Sequence, residues 1–130
     1  MKKVYFLTFL FCCLVAAVFA KPILPEILSD NMVLQQNAKV NIWGKSAPGK
    51  TVAVRPSWTS EVTKVKADAK GNWIASISTP LAGFTPYSLS VSDGEEVVLN
   101  NVLIGEVWLA SGQSNMEMPL NGFWNNPVLK

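Results

Sequence analysis

The sequence predicts a mainly β protein, in which an antiparallel β-sandwich leads into the first strand, turn and helix of an incomplete α/β domain. Between residues 21 and 101, apolar and polar residues alternate over short runs separated by turn residues, as in strands with one buried face. From residue 102 the pattern changes to the continuous apolar run 107–110, followed by Ser111 and Gly112. Such a run is typical of a parallel strand covered on both faces.

The alternation assigns one buried face to each predicted strand of the sandwich. Turns are expected at 47–50, at 70–72 and at the hairpin Asp93-Gly94, where glycine permits the backbone to reverse. About 80 residues suffice for an independent core. The apolar residues that share strand faces are Val40, Ile42, Val52, Val54, Val65, Ala67, Ala69, Trp73, Ala75, Ile77, Tyr87, Leu89, Val91, Val97 and Leu99.

The predicted domains are therefore a leader at 1–20, a β-sandwich at 21–101 and the truncated start of an α/β domain at 102–130. A single buried strand cannot cover its own faces. We accordingly expect residues 107–110 to make the isolated chain prone to association, and trimming near Asn101 to improve its solubility.

The first 20 residues have the features of a secretory signal peptide. Lys2 and Lys3 precede an uncharged, mostly apolar run that ends at Ala20, where cleavage is expected. A retained membrane anchor is the alternative, since the run nears the ~17 residues that could span a bilayer, but no positively charged cluster follows it. We expect a periplasmic or secreted protein without a stable membrane span after cleavage.

Cleavage would also simplify the composition. Cys12 and Cys13 lie in the leader, so the mature chain offers no disulfide and no thiolate metal site. The chain has 11 basic and 9 acidic residues, and loss of Lys2 and Lys3 makes the two numbers equal. Without a basic stripe, nucleic acid and anionic membranes are poor partners.

The acidic residues indicate no metal or cofactor site. Their spacing does not follow the calcium-loop pattern. Asp93 and Glu95 flank a hairpin turn and are expected to be solvated there.

Residues 112–117 are the segment that could carry chemistry. A turn after a buried strand would present the Ser114 hydroxyl at the carboxyl edge of a sheet, and the N–H groups of a helix start could stabilise an oxyanion. Gly112 permits the chain to bend. The alternative is structural: Ser114 and Glu117 form a capping box. The α/β-hydrolase elbow is excluded, because Met116 stands where that motif requires glycine.

The same segment closely resembles a block of a known enzyme family. Residues 105–109, Gly-Glu-Val-Trp-Leu, and 111–117, Ser-Gly-Gln-Ser-Asn-Met-Glu, resemble the first conserved block of the sialate O-acetylesterases, which belong to the SGNH or GDSL-like serine hydrolases. Segments 29–35, 42–44, 47–49 and 71–73 also follow in the family's order. Acetyl xylan esterases share Gly-Gln-Ser-Asn-Met and remain an alternative.

The resemblance implies specific roles for four residues. Ser114 matches the nucleophile, and its backbone N–H would be one oxyanion donor, while Gly112, Gln113 and Asn115 match the surrounding block. The family's catalytic histidine and aspartate have no counterpart, and the chain contains no histidine. A serine triad therefore cannot be complete within these residues.

These features together lead us to expect that the chain is the N-terminal part of a secreted carbohydrate O-acetylesterase and that it is inactive by itself. An O-acetylated sialic acid is the expected substrate, and the oligomeric state is open. An alternative from another class is a secreted β-sandwich that binds glycans or another partner, with Ser114 only capping a helix.

Three tryptophans of the sandwich could offer a sugar-stacking platform, because aromatic rings pack on sugar faces. Trp73 shares a strand face with Ala75 and Ile77 and is expected in the core. Trp58 is the best exposed candidate, and Trp43 is the third. The alternative for each is an ordinary surface or core tryptophan.

Overall fold

The computed structural model describes residues 21–113 and residue 116, and this part of the chain is built from strands. Seven strands are present there, residues 21–113 contain no helix, and Met116 has a helical backbone. They are β1 (Val33–Gln35), β2 (Lys39–Lys45), β3 (Thr51–Pro56), β4 (Thr63–Lys66), β5 (Asn72–Ser78), β6 (Gly83–Ser92) and β7 (Glu96–Gly105).

The strands form two sheets that enclose one hydrophobic core. The larger sheet has the order β1-β7-β6-β3-β4, and the smaller one pairs β2 with β5. All pairs are antiparallel except β1 with β7, which is parallel. Buried residues from both sheets belong to a single cluster. The predicted β-sandwich is confirmed, with one parallel pair that the alternation did not indicate.

The core follows the predicted period of two. In β5, Trp73, Ala75 and Ile77 are buried, whereas the residues between them are exposed. Leu89 and Val91 of β6 belong to the same core cluster and are fully buried. This alternation is what a sheet with one covered face requires. Ala69 differs, since it is exposed beyond the end of β4.

The turn between β2 and β3 forms as predicted. The Lys50 N–H donates to the Ala47 carbonyl over 3.1 Å, and Gly49 has a φ of 75°. Pro48 followed by a glycine with positive φ is the arrangement of a type II turn. The turn reverses the chain from the smaller sheet into the larger one.

Strand β7 runs across the predicted boundary between residues 101 and 102. Val102 and Ile104 are buried in the sandwich core, and Ile104 pairs with Leu34 of β1. Asn101 has a φ of 55° near register shifts in the β6–β7 pairing. This irregularity resembles a bulge, which adds one residue and breaks the alternation without ending the strand. The sandwich therefore extends to Gly105.

The apolar run 107–110 does not form the predicted buried strand. Residues 106–112 have no strand pairing, and Leu109 is 92% exposed. A strand covered on both faces needs neighbours. Within residues 21–113, Val107 lines a cavity with Leu28, Met32 and Trp43, whereas Trp108 is 85% exposed. The predicted helix start falls on residues of which only Met116 is described.

Asp93 is buried, which corrects its predicted solvation. Only 7% of the residue is exposed, and its carboxylate accepts a hydrogen bond from the Ser46 hydroxyl. The Lys50 ammonium donates to the Asp93 carbonyl over 3.1 Å. The β6–β7 turn is thus tied to the chain that follows β2. Glu95 is exposed, as expected.

The leader at 1–20 lies outside the described residues, so the signal peptide remains a prediction. Within residues 21–113 and 116, no helical segment has the length and hydrophobicity needed to cross a bilayer.

Candidate functional site

The segment after β7 is the candidate site, and the structure describes part of it. Gly112, Gln113 and Met116 are described, whereas Ser114 and Asn115 lie outside the described residues. The roles of Ser114 as nucleophile and of its N–H as oxyanion donor therefore remain predictions, as does that of Asn115.

The described residues on either side of Ser114 approach one another closely. The Met116 N–H donates to the Gln113 carbonyl over 2.9 Å, a separation of three residues that closes a turn. A Cβ atom added to Gly112 would lie 2.7 Å from Met116 Cγ. Glycine at 112 therefore leaves room for the Met116 side chain, and any larger residue would displace it.

A network of amide and carboxylate side chains holds the start of this segment against β1. The Glu106 carboxylate accepts hydrogen bonds from Gln35 Nε2 at 3.0 Å and Gln36 Nε2 at 2.5 Å. The Val107 N–H donates to Gln35 Oε1 over 2.8 Å, and the Ala82 N–H donates to Gln36 Oε1 over 2.8 Å. We call Gln35, Gln36 and Glu106 the exit network, because they fix the direction in which the chain leaves the sandwich.

The exit network favours the charged form of its carboxylate. The hydrogen bond from Gln35, and next that from Gln36, hold the pKa of Glu106 below its ordinary value. Gln35 and Glu106 are 71 positions apart, and nothing in a single sequence indicates that their side chains meet.

The three tryptophans of the sandwich have different environments. Trp73 is buried in the core, as predicted. Trp58 is partly buried; its Nε1 donates to the Ser78 carbonyl over 2.9 Å, and its ring packs edge-on against Tyr87 with centroids 5.5 Å apart. Trp43 is 41% exposed. Trp43, rather than Trp58, is therefore the accessible ring.

The described residues bring together no group that could hold a metal ion. No three His, Cys, Asp or Glu side chains cluster anywhere in residues 21–113 and 116.

Comparison with known proteins connects the chain to carbohydrate esterases. No protein-family model matches it. Sialate O-acetylesterase from Pongo abelii is 34% identical over 109 residues, and its Homo sapiens counterpart is 33% identical over 109 residues. The chain is a relative of the sialate O-acetylesterases. The resemblance predicted from the sequence is confirmed.

A solved structure supports the same relationship at the level of the fold. The crystal structure of a carbohydrate acetylesterase from Xanthomonas citri is 44% identical and superposes with a TM-score of 0.66, over 77% of this chain and 22% of that protein. Both sialate O-acetylesterase matches cover 75% of this chain and 20% of the relative. The chain thus spans about a fifth of the length of the curated relatives that it matches.

Proposed function

We propose that the chain is part of a secreted carbohydrate O-acetylesterase in which Ser114 is the nucleophile. The observation that carries the proposal is the 34% identity to a sialate O-acetylesterase, together with the Gly112-Gln113-Ser114 segment directly after the sandwich. The turn between Gln113 and Met116 and the exit network support it, because they hold both sides of that segment.

The proposed reaction proceeds through an acetyl-enzyme. A base removes the proton of the Ser114 hydroxyl as its oxygen attacks the acetyl carbonyl carbon. The ester bond to the sugar then breaks, and the sugar oxygen leaves with a proton. Water attacks the acetyl-enzyme and releases acetate and the free serine. The base must come from outside these 130 residues if it is a histidine, since the chain has none.

O-acetylated sialic acid is the proposed substrate and acetyl xylan is the alternative. The name of both mammalian relatives, sialate O-acetylesterase, favours the first. The solved relative is described as a carbohydrate acetylesterase, which leaves the sugar open. Export through residues 1–20 is part of the proposal, because Lys2 and Lys3 precede an uncharged apolar run that ends at Ala20.

The test is acetate release by the longest polypeptide that the gene encodes. We expect hydrolysis of O-acetylated sialic acid, a loss of at least about 1,000-fold in kcat on Ser114→Ala, and labelling of Ser114 by a serine-reactive phosphonate. The matched control is Ser60→Ala, a serine that is exposed on the sandwich. Residues 21–130 alone should show no serine-dependent turnover.

Three results would contradict parts of the proposal. Unchanged acetate release by the Ser114→Ala enzyme would remove the nucleophile assignment. If the intact polypeptide reacts neither with the phosphonate nor with the acetylated sugars, the proposed esterase activity is wrong. If acetyl xylan is hydrolysed faster than O-acetylated sialic acid, acetyl xylan becomes the proposed substrate.

A further inference from the structure

A groove beside the smaller sheet has none of the described residues 106–113 in its lining. It encloses about 680 Å³ and is lined by the segment 23–25, by residues of β2 and β5, by Lys66 of β4 and by Asp68. In the β2–β5 pair, Trp43 lies opposite Ile74 and Lys45 lies opposite Asn72. Directly opposed residues share one face of a sheet. We call this depression the Trp43 groove, after its half-exposed ring.

The walls of the groove are held in place by the backbone. Ile23 and Lys45 exchange two backbone hydrogen bonds of 2.8 Å each, which attach the segment 23–25 to the edge of β2. A Cβ atom on Gly44 would lie 2.2 Å from the Ile23 carbonyl oxygen, so glycine is required for this approach. The groove therefore exists before any ligand binds.

One side of the groove is apolar. Trp43 is 41% exposed and Ile74 is 59% exposed, and the two lie side by side in the register of the sheet. An exposed indole face beside an aliphatic side chain suits a ring that carries C–H groups on one face, as a pyranose does. A concave site with an apolar wall and a few polar groups is the usual form of a small-molecule site.

The polar side of the groove carries two cations available to a ligand. Lys45 and Lys66 line it, and no hydrogen bond or ion pair within the described part of the chain engages either ammonium group. The Asp68 carboxylate is already used: it accepts hydrogen bonds from the backbone N–H groups of Lys70 and Asn72, both at 2.8 Å. The Asn72 hydrogen bonds are also the main reason that the pKa of Asp68 is lowered.

The apolar wall and the two lysines of the Trp43 groove together determine which kind of ligand fits it. A purely apolar partner would have to strip water from two ammonium groups without replacing their hydrogen bonds, which is unfavourable. A carboxylate would form charge-assisted hydrogen bonds with them. A neutral sugar would use the apolar wall and leave the lysines unpaired.

We propose that the Trp43 groove is an accessory binding site for a carboxylate-bearing sugar, such as a sialic acid. The C–H face of the pyranose packs on Trp43 and Ile74, and the carboxylate contacts Lys45 and Lys66. The site holds the glycan on the sandwich and takes no part in acyl transfer. It rests on the proposed substrate class, but it does not depend on Ser114.

The test is a titration of residues 21–130 with free sialic acid, in which binding is monitored through the backbone amide chemical shifts. We expect saturable shifts at 43–45, 66 and 72–74, with a dissociation constant on the order of millimolar. The methyl ester of the same sugar, which lacks the negative charge, should bind at least about fivefold more weakly. Binding should also weaken as salt increases.

Two variants and a matched control test the assignment of the residues. Trp43→Ala should weaken binding at least about tenfold, and Lys66→Ala about fivefold. Lys64→Ala is the control, since Lys64 is exposed on the same face of β4 but does not line the groove; its affinity should be unchanged. Lys66 is exposed, so its variant remains informative if Trp43→Ala does not fold.

Three outcomes would overturn the groove proposal. The first is the absence of localised chemical-shift changes on titration with sialic acid, and the second is equal affinity for sialic acid and its methyl ester. The third is a dimer in sedimentation that Trp43→Ala abolishes and that sialic acid does not affect. The last would make the face a contact between two copies. If the intact enzyme still hydrolyses O-acetylated sialic acid in any of these cases, the proposed function stands and only the accessory site is lost.

Discussion

At the scale of single residues, Asp93 differs most from its expected environment. Its position next to Gly94 in a turn indicated a solvated side chain, and the turn itself was predicted correctly. The burial arises from Ser46 and Lys50, which belong to a distant part of the sequence and reach the turn only in the folded chain. A local pattern can thus predict a backbone turn, but it cannot predict which side chains will cover it.

Asp93→Ala should destabilise the sandwich by about 1 kcal/mol, because the Ser46 hydroxyl loses its acceptor in a partly buried site. The cost should stay small, since Asp93 Oδ1 is itself buried with no hydrogen-bond partner in the described part of the chain. Urea unfolding of residues 21–130 measures the effect. Glu95→Ala, in the same turn but exposed, should lie within about 0.5 kcal/mol of the parent. Equal effects of the two substitutions would show that the Ser46 contact contributes nothing.

At the scale of elements, the alternation of apolar and polar residues predicted the buried faces of the interior strands well. It failed for the first and last strands, β1 and β7. The buried faces of β3, β5 and β6 match the prediction because each has one covered face. In β7, Leu99 and Val102 are both buried although three positions separate them, since the chain is irregular at Asn101. The short strand β1 escaped prediction because three residues carry too little periodicity, and its partner lies far along the chain.

The candidate site was predictable only as a motif. The block from Gly112 to Met116 is local in sequence, so its resemblance to the esterases could be found directly. The exit network that holds the same segment depends on Gln35 and Gln36, which lie beside β7 only because β1 pairs with it. The apolar run 107–110 is unpaired in the described residues, because strand formation depends on neighbouring strands that the run itself does not specify.

The exit network should weaken in acid. The pKa of Glu106 is lowered in the folded chain, so the network stabilises the fold fully above the ordinary glutamate pKa of about 4.3. This contribution is lost as the pH falls through the lower, folded pKa. A carboxyl ¹³C titration of Glu106 should therefore give a midpoint below that of the same residue in the urea-unfolded chain. A midpoint at or above that value would contradict the network.

The same network should protect one backbone amide in particular. On Glu106→Ala at pH 6, hydrogen exchange at the Val107 amide should accelerate several-fold, since Gln35 loses the partner that orients its side-chain oxygen toward this N–H. Glu61→Ala, which removes another exposed glutamate, serves as the control and should leave the rate unchanged.

At the scale of the whole molecule, the sandwich is closed by its last strand. β7 lies between β1 and β6 in the larger sheet and contributes Leu99, Val102 and Ile104 to the core. Trimming the chain near Asn101, which the sequence pattern suggested as a way to improve solubility, would remove two of these three residues. The structure places the useful cut after Gly105 instead.

A chain of residues 21–105 should fold, whereas one of residues 21–101 should not. Loss of Val102 and Ile104 would cost several kcal/mol for each buried side chain, which approaches the 5–15 kcal/mol total stability of a typical domain. Amide chemical-shift dispersion and a cooperative urea transition distinguish the two. A cooperative transition in the shorter chain would place the end of the domain back at Asn101.

The parallel pairing of β1 with β7 has a consequence for how the chain acquires its shape during synthesis. In the described structure β1 hydrogen-bonds only to β7. Ribosomes add about 5–20 residues per second, so several seconds pass between the synthesis of β1 and the synthesis of β7. During that interval Val33 and Leu34 have no β7 backbone to join, and a factor that shields nascent apolar segments would find them accessible. Early translation thus leaves the first strand unpaired, and the arrival of the last strand completes the sheet.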